Sequence, residues 1–251
     1  MYTRVKTPAE IQAMRESGHL TALILQAMVD QIEAGMTTKD VALIASRELK
    51  ALGGGKHAFF GYQGFPDVLC ISVNDEIVHG IPGRREIKDG DIVSLDYGVN
   101  YRGMITDAAR TVIVGQARPE DQKLVAKTLE SLDAGIFMVR DGVKVGDIAA
   151  AIQEVLERAG YGIVRDLVGH GVGHQLHEEP NIPNYGKKGS GPALEAGMTI
   201  AIEPMVTLGD WRVTLDPDGW TIRTADHSRA AHFEDTVLIT EDGAEILTRL
   251  S

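Results

Sequence analysis

The feature that most constrains the fold of this chain is an internal repeat. Three residue pairs share one separation (142 − 35 = 107): Gly35 with Gly142, Asp40 with Asp147, and Gly53 with Gly160. The repeat extends into residues 87–96 and 194–203, two apolar segments that end in Asp96 and Glu203. Because the hydrophobic pattern agrees along with these identities, we expect a duplicated α/β half. The chain would then be one domain of two pseudo-symmetric halves, approximately 1–115 and 116–251.

Helix signals repeat within the two halves. Thr7-Pro8-Ala9-Glu10 is a capping-box pattern with proline at the first helical position, and apolar residues follow at helical spacing until Gly35. A second helix is expected over residues 38–52, ended by a run of three glycines. In the second half we expect one helix from Pro119 to about Arg140 and another from Asp147 to Ala159, stopped by Gly160.

Composition excludes several classes of protein. The single cysteine, Cys70, rules out a cysteine-rich zinc module, so a metal ion would be held by His, Asp or Glu. The formal net charge of −11 argues against broad electrostatic binding to nucleic acid or to an anionic membrane. No apolar run approaches the roughly 20 residues of a membrane-spanning helix, and the N-terminus has no apolar signal core. We therefore expect a cytoplasmic protein.

Two aspartates are expected on one face of a β-hairpin. Residues 91–114 read as two strands joined by a turn at residues 100–103. If Asn100 pairs with Gly103, Asp96 lies directly opposite Asp107. Facing carboxylates repel each other unless a proton or a cation lies between them. For an isolated pair, a solvated hairpin face with two unrelated acids is the alternative.

Two glutamates adjoin apolar strands. Glu203 ends the strand at residues 199–202 and is followed by Pro204, and Glu234 precedes the strand at residues 236–239. Carboxylates beside such strands tend to be partly buried and need partners. Each alone is better explained as a hydrogen-bonded structural glutamate. Together with the aspartates they predict a cluster of four carboxylates.

Histidines recur in glycine-rich segments. Residues 169–177 contain His170, His174 and His177 among three glycines, which argues against a helical zinc motif. Repeated glycine suits a closely packed loop or strand that carries imidazole to a site, and a flexible glycine loop is the alternative. His79-Gly80 is another histidine beside a glycine, and this dipeptide alone is weak evidence for a site.

As a set, these residues resemble type I methionine aminopeptidase. The resemblance rests on order and spacing and runs essentially from residue 1 to 251: Asn74, His79-Gly80-Ile81-Pro82, Asp96, Asp107, His170, His177-Glu178-Glu179-Pro180, Ile202-Glu203-Pro204 and Glu234. It implies the pita-bread fold, an α/β arrangement of pseudo-two-fold duplicated halves with curved antiparallel sheets covered by helices. This expectation agrees with the internal repeat.

The resemblance implies a centre of two divalent metal ions held by five residues: Asp96, Asp107, His170, Glu203 and Glu234. Asp107 and Glu234 would bridge the ions. Asp96 would bind mainly one ion, while His170 and Glu203 would complete the other. Oxygen-rich ligands with one imidazole suit Mn, Fe(II) or Co better than a structural thiolate zinc site, and the choice among Mn, Fe(II), Co and Zn stays open.

The implied activity is hydrolytic removal of N-terminal methionine from peptides and nascent chains, preferably before a small second residue. Water activated by the two ions would be the nucleophile, and Glu203 would carry its proton toward the leaving amine. His177 would hydrogen-bond the scissile carbonyl and His79 the peptide nitrogen. The methionine pocket would be formed by six residues: Phe59, Tyr62, Phe65, Cys70, Leu176 and Trp220. Core packing is the alternative for these residues, and for Phe59 and Leu176 it explains them equally well. A monomer with transient ribosome contact is implied.

Several positions depart from the common bacterial pattern. Gln63 stands where many relatives have His, Leu176 replaces a frequent Phe, and His232-Phe233-Glu234-Asp235 replaces Gln-aromatic-Glu-His. None of these removes an implied ligand. They affect pocket shape and the groups around the ligands, which tune ligand basicity.

Three other interpretations stay open at this point. Proline-specific peptidases share the metal ligands but usually carry an added N-terminal domain, for which no room is expected before Pro8. Type II methionine aminopeptidases have a helical insertion that does not fit the 31 residues between Glu203 and Glu234 (234 − 203 = 31). A catalytically silent relative acting as a binding or ribosome-associated protein would typically have lost metal ligands.

Overall fold

The structure is a computed structural model that describes residues 1–250. Four α-helices lie in this range: α1 (Pro8–Gln31), α2 (Thr38–Leu52), α3 (Pro119–Phe137) and α4 (Val145–Ala159). The strands, in chain order, are β1 (Lys56–His57), β2 (Cys70–Val73), β3 (Glu76–Val78), β4 (Ile92–Tyr101), β5 (Met104–Ile113), β6 (Gly162–Ile163), β7 (Gly169–Gly171), β8 (Glu178–Ile182), β9 (Thr199–Ile202), β10 (Met205–Thr207), β11 (Val213–Leu215), β12 (Ile222–Thr224), β13 (Ala230–His232), β14 (Asp235–Ile239) and β15 (Ala244–Ile246). A short 3₁₀-helix spans Tyr62–Gly64.

Local capping chemistry sets the ends of the first two helices. The Thr7 hydroxyl accepts from the Glu10 amide while the Glu10 carboxylate accepts from the Thr7 amide, as the sequence predicted for α1. The helix ends at Gln31, ahead of the expected stop, because Ile32 is already extended. Helix α2 ends as expected at Gly53, whose φ of 73° lies in the left-handed region.

The second helix pair differs from expectation by a few residues. Helix α3 ends at Phe137 instead of Arg140 because the amide of Val139 bonds the Ile136 carbonyl, the tighter pattern of a closing turn. Helix α4 begins at Val145, two residues early, because Asp147 caps its first turn by accepting from the Lys144 amide. Both limits of α4 lie 107 residues beyond those of α2 (145 − 38 and 159 − 52). The division into duplicated halves stays a prediction that this agreement supports.

The hairpin β4–β5 forms as expected, but its predicted register is wrong. Tyr101 pairs with Met104, so Asp96 faces Ala109 and Asp107 faces Gly98. The turn is the two-residue loop Arg102-Gly103, with φ of 51° and 83°, which matches the right-handed twist of the strands. The shift from the predicted register is two residues, so both aspartates keep their common face and are diagonal neighbours.

Two larger sheets carry the residues of interest. Strand β4 is central in the first, pairing with β1, β2 and β5. The second sheet has the order β15-β14-β9-β7-β8. Two three-stranded sheets, β13-β10-β6 and β11-β12-β3, complete the β-structure that the described residues form. Strand β12 joins β3 through Ile222 and Val78, so the second half of the chain completes a sheet with the first.

Apolar burial covers each large sheet with a helix pair. One core cluster joins α1 and α2 to β2 and β4, through residues such as Met28, Val41 and Leu95. Another joins α3 and α4 to β9 and β14, through residues such as Leu132 and Ile152. Burial of this kind is the main term that stabilises such layers. Among residues 1–250, no helix is long and apolar enough to cross a membrane.

Candidate metal centre

Hydrogen bonds between β5 and the start of β14 bring Asp107 and Glu234 together. The backbones of Ala109 and Glu234 exchange two hydrogen bonds, at 3.2 and 3.0 Å. Asp107 precedes Ala109 by two residues, and Thr236 follows Glu234 by two. The Asp107 amide donates to the Thr236 hydroxyl at 2.9 Å, and that hydroxyl donates to the Asp107 carbonyl at 2.8 Å. Residues from distant parts of the sequence are thus fixed side by side.

Glu203 and His170 come from neighbouring strands of the five-stranded sheet. His170 pairs with Ala201, two residues before Glu203, and the Glu203 carbonyl accepts from the Asn184 side-chain Nδ2 at 3.0 Å. The His170 Nδ1 lies 2.9 Å from the Gly171 carbonyl, which places the ring proton on Nδ1. Nε2 therefore carries a free lone pair, 3.4 Å from a Glu203 carboxylate oxygen.

The four expected carboxylates lie in one cluster, in which Asp96, Asp107 and Glu234 are buried and Glu203 is largely buried. Burial, and then the charge of Asp107, raise the pKa values of Asp96, Glu203 and Glu234 well above their usual range. Burial also raises the pKa of Asp107, opposed by hydrogen bonds from Asp96 and from the Ala108 amide. Within residues 1–250, one oxygen of each of Asp96, Asp107 and Glu234 has no hydrogen-bond partner. Such a cluster calls for protons or cations to offset its charge.

Two groups of side chains have ligand atoms close enough for a cation. One atom from each of Asp107, His170 and Glu234 lies within 4.8 Å of the others, and the same holds for Glu203, His232 and Glu234. Glu234 belongs to both groups, whereas Asp96 belongs to neither and adjoins Asp107. Oxygen and imidazole donors with unpartnered buried atoms fit divalent cations of the first transition row.

His232 also lies in the site, although the sequence indicated only that it departs from the common bacterial pattern. It ends β13, is 1% exposed, and its Nε2 lies 3.6 Å from a Glu203 oxygen and 4.0 Å from a Glu234 oxygen. Burial, and then the charge of His79, lower its pKa to about 3, so the ring is neutral. One signal could have found it: residues two apart on an extended segment share a face, and His232 precedes Glu234 by two.

Asp235, which also departs from the common bacterial pattern, binds two arginine side chains instead of facing the carboxylate cluster. It is fully buried and accepts from Arg110 Nη2 and from Arg249 Nε, both at 2.7 Å. The same Arg110 guanidinium donates to the Glu234 carbonyl at 2.7 Å through Nη1. Asp235 therefore holds the arginine that fixes the backbone of Glu234.

An open cavity of about 100 Å³ leads to the two aspartates. Besides Asp96 and Asp107, its wall contains Gln63, His79, His177 and all six residues expected in a methionine pocket: Phe59, Tyr62, Phe65, Cys70, Leu176 and Trp220. Phe59 and Leu176 are 5% and 3% exposed, so they belong to the core and to the cavity wall at once. The rings of Phe65 and Trp220 meet edge to face at 5.2 Å.

His79 and His177 flank the carboxylates. His177 Nδ1 lies 3.0 Å from the Tyr62 hydroxyl, and its ring is 4.3 Å from that of His170. His79 follows β3 with φ of 61°, an uncommon value for a non-glycine residue. Gly80 is required there because a Cβ would lie 2.1 Å from the Ile71 carbonyl oxygen. Burial, and then His177, lower the pKa of His79 to about 4.

The carboxylates and imidazoles cluster between two antiparallel sheets, each of which is covered on its other face by a pair of helices. This arrangement is typical of metal-dependent enzymes. The family model of metallopeptidase family M24 matches residues 12–241. The chain belongs to metallopeptidase family M24, and use of divalent metal is a property of that family.

Within the family, the chain is similar to bacterial methionine aminopeptidases. It is 45% identical to methionine aminopeptidase 1 of Bacillus subtilis over 98% of both chains. The crystal structure of methionine aminopeptidase from Thermotoga maritima superposes with a TM-score of 0.97 at 48% identity, covering 99% of this chain and 100% of that one. The expected fold class and the resemblance to type I methionine aminopeptidase are thereby confirmed.

Prolidase from Pyrococcus furiosus is a more distant structural relative. Its TM-score is 0.79 at 26% identity, and the match covers 98% of this chain but 66% of the prolidase. Proline-specific peptidases therefore share the fold at lower identity, and the match leaves about a third of the prolidase uncovered.

Proposed function

We propose that this protein is a metallo-aminopeptidase that hydrolyses the N-terminal methionine from peptides and nascent polypeptides, preferably when the second residue is small. The observation that carries the proposal is one cavity whose apolar wall ends at a cluster of buried carboxylates and imidazoles. The apolar wall suits an unbranched thioether side chain, and the polar end suits a peptide amine and carbonyl. The activity named for the relatives supports the same substrate.

The proposed centre holds two divalent ions, of Mn, Fe(II), Co or Zn. Asp107 and Glu234 would contact both ions, a role that the membership of Glu234 in both ligand groups supports. Asp96 would contact mainly one ion, and His170 with Glu203 the other. When bound, such ions polarise a carbonyl oxygen and lower the pKa of a water so that it attacks near neutral pH.

The chain's own groups would then orient the substrate and move protons. Glu203 faces His170 Nε2 at 3.4 Å and keeps 12% side-chain exposure, so its carboxyl group can exchange a proton between water and the leaving amine. Donation from the Tyr62 hydroxyl to His177 Nδ1 would leave the ring proton on Nε2. His177 could then donate to the oxygen that becomes negative, and His79 could contact the peptide nitrogen.

The proposal also covers the oligomeric state, the cellular compartment and the partners of the enzyme. We infer a monomeric cytoplasmic enzyme that meets nascent chains through transient contact with the ribosome. The net charge of −11 disfavours strong binding to bare nucleic acid.

The decisive experiment compares peptide substrates on one metal-reconstituted preparation. Purified protein is stripped of metal, reloaded separately with Mn, Fe(II), Co and Zn, and assayed on methionyl-alanyl, methionyl-leucyl, leucyl and X-prolyl peptides. We expect cleavage of the methionyl peptides with at least one metal, faster before alanine than before leucine.

The alternatives give different results in the same assay. Cleavage confined to X-prolyl peptides would identify a proline-specific peptidase. Metal binding without turnover of any peptide would favour a silent relative that acts as a binding protein. Either result would overturn the proposed activity.

A further inference from the structure

Hydrogen bonds fix the backbone of His232 but not its imidazole ring. The His232 amide donates to the Thr111 hydroxyl at 2.9 Å, and that hydroxyl lies 2.6 Å from the His232 carbonyl oxygen. The Thr111 hydroxyl also shares a hydrogen bond of 2.8 Å with the hydroxyl of Ser94 on β4. Neither ring nitrogen of His232 has a hydrogen-bond partner within residues 1–250. A buried polar ring without partners is costly, so a ligand that satisfies it would stabilise the site.

The distances around Nε2 suit coordination better than hydrogen bonding. Nε2 lies 3.6 Å from Glu203 Oε2 and 4.0 Å from Glu234 Oε2, both beyond the ~3.2 Å limit of a good hydrogen bond. With bonds of about 2.0–2.2 Å, two ligands of one cation lie ~3.0 Å apart at a right angle and ~3.4 Å apart in a tetrahedron. His170 Nε2 and Glu203, both expected ligands, have the comparable separation of 3.4 Å.

We propose that His232 is an additional metal ligand, binding through Nε2 beside Glu203 and Glu234, so that the centre contains two coordinated imidazoles. The inference rests on the proposed function in one respect, the presence of metal at the carboxylate cluster. It adds a nitrogen donor on the side of Glu203 opposite to His170, since the two rings approach different oxygens of that carboxylate.

A second imidazole changes which metals the centre favours. Nitrogen donors raise the affinity for Co(II) and Zn(II) relative to Mn(II), which accepts all-oxygen ligands more readily. Removing the His232 ring should therefore weaken Co(II) binding more than Mn(II) binding. A purely structural histidine would change the two affinities alike, through general disturbance of the site.

The test counts imidazoles on the metal. Wild-type protein, His232→Gln and the matched control His19→Gln are loaded with Co(II), and X-ray absorption spectra give the number of coordinated imidazoles. His19 is exposed on α1, away from the cluster. We expect two imidazoles per pair of ions in the wild type and in the control, and one in His232→Gln. Calorimetric titration should show a Co(II) affinity at least ~10-fold weaker in His232→Gln, with a smaller change for Mn(II).

The possible results separate this inference from the proposed function. An unchanged imidazole count and unchanged Co(II) affinity in His232→Gln would overturn the role of His232, even if methionyl peptides are still cleaved. Absence of metal binding by the wild type would overturn both. If His232→Gln fails to fold, the wild-type spectrum decides alone, because a single coordinated imidazole contradicts the inference and two support it.

Discussion

The Thr236 hydroxyl and the Asp107 backbone form two reciprocal hydrogen bonds, 2.9 and 2.8 Å long, at the junction of β5 and β14. Thr236 is fully buried, and its own amide donates to the Thr248 hydroxyl at 3.1 Å. The pair therefore fixes Asp107 relative to the strand that begins beside Glu234. The Thr236 hydroxyl therefore adds to the backbone hydrogen bonds between Ala109 and Glu234 in setting the relative position of two expected metal ligands.

Replacing Thr236 with valine should destabilise the metal-free protein. Valine keeps the shape but leaves the buried Asp107 amide and carbonyl without this partner, at a cost of about 1–3 kcal/mol. The free energy of unfolding in urea measures the effect, and Mn(II) affinity should fall with it. Thr214→Val, on the exposed strand β11, is the control and should be near neutral. Equal stability of the two variants would contradict the role of Thr236.

Stability of the metal-free protein should fall as pH rises. Burial raises the pKa of Asp107 from its usual 3.8 to about 7, so the folded state binds this proton more tightly than the unfolded state. The contribution is therefore fully present below pH 3.8 and is lost as pH rises through about 7. The slope between these limits is at most ~1.4 kcal/mol per pH unit for one proton.

Asp107→Asn isolates that contribution from the rest of the protein. Its free energy of unfolding minus that of the wild type should increase between pH 4 and pH 8, because asparagine removes the charge. The control Asp166→Asn changes an exposed aspartate and should give a constant difference. A constant difference for Asp107→Asn as well would show that its carboxyl group titrates normally.

Metal binding should compete with protons. Because the pKa values of Asp96, Glu203 and Glu234 are raised, these carboxyl groups hold protons more tightly than ordinary carboxyl groups do, and the protons must leave when a cation binds. We expect Mn(II) affinity and peptide cleavage to fall together between pH 8 and pH 5. Calorimetry in buffers of different ionisation enthalpy should detect proton release. Affinity independent of pH over this range would contradict the raised pKa values of the cluster.

Trp220 should affect substrate binding more than chemistry. Its ring packs against Phe65 in the cavity wall, at the end occupied by the methionine side chain in the proposed function. Trp220→Ala should raise KM for methionyl peptides roughly tenfold, the equivalent of about 1.4 kcal/mol, with a smaller change in kcat. Trp211→Ala is the matched control because Trp211 packs on Arg165 outside that cavity. Equal effects of the two substitutions would remove Trp220 from the pocket.

The sequence predicted helices well because their signals are local. The caps at Thr7 and Gly53 depend on a few neighbouring residues, and both act as expected. The hairpin register failed because Arg102, a non-glycine residue, adopts positive φ in the turn, which residue preference does not indicate. Pairing of β12 with β3 joins residues more than a hundred positions apart, which no local pattern reveals.

The sequence predicted which residues form the candidate site better than it predicted how they are arranged. The expected carboxylates cluster because each lies within or directly beside an apolar strand whose burial carries it inward. The spacing of His232 from Glu234 places the two on one face, but its proximity to Glu203, which follows β9, depends on the fold and could not be predicted locally. Asp235 likewise acquires its role only when Arg110 and Arg249 converge on it.

The most direct test of the account compares Glu203→Ala with His177→Ala. Each variant and the wild type are stripped of metal, titrated with Mn(II) by calorimetry, and assayed on a methionyl-alanyl peptide. Glu203→Ala should bind the metal more weakly and lose turnover, because Glu203 is assigned to hold metal and to carry protons. His177→Ala should bind Mn(II) as the wild type does, with kcat lower by about a hundred- to a thousand-fold. Full activity in both variants, or loss of metal from His177→Ala, would contradict the assigned roles.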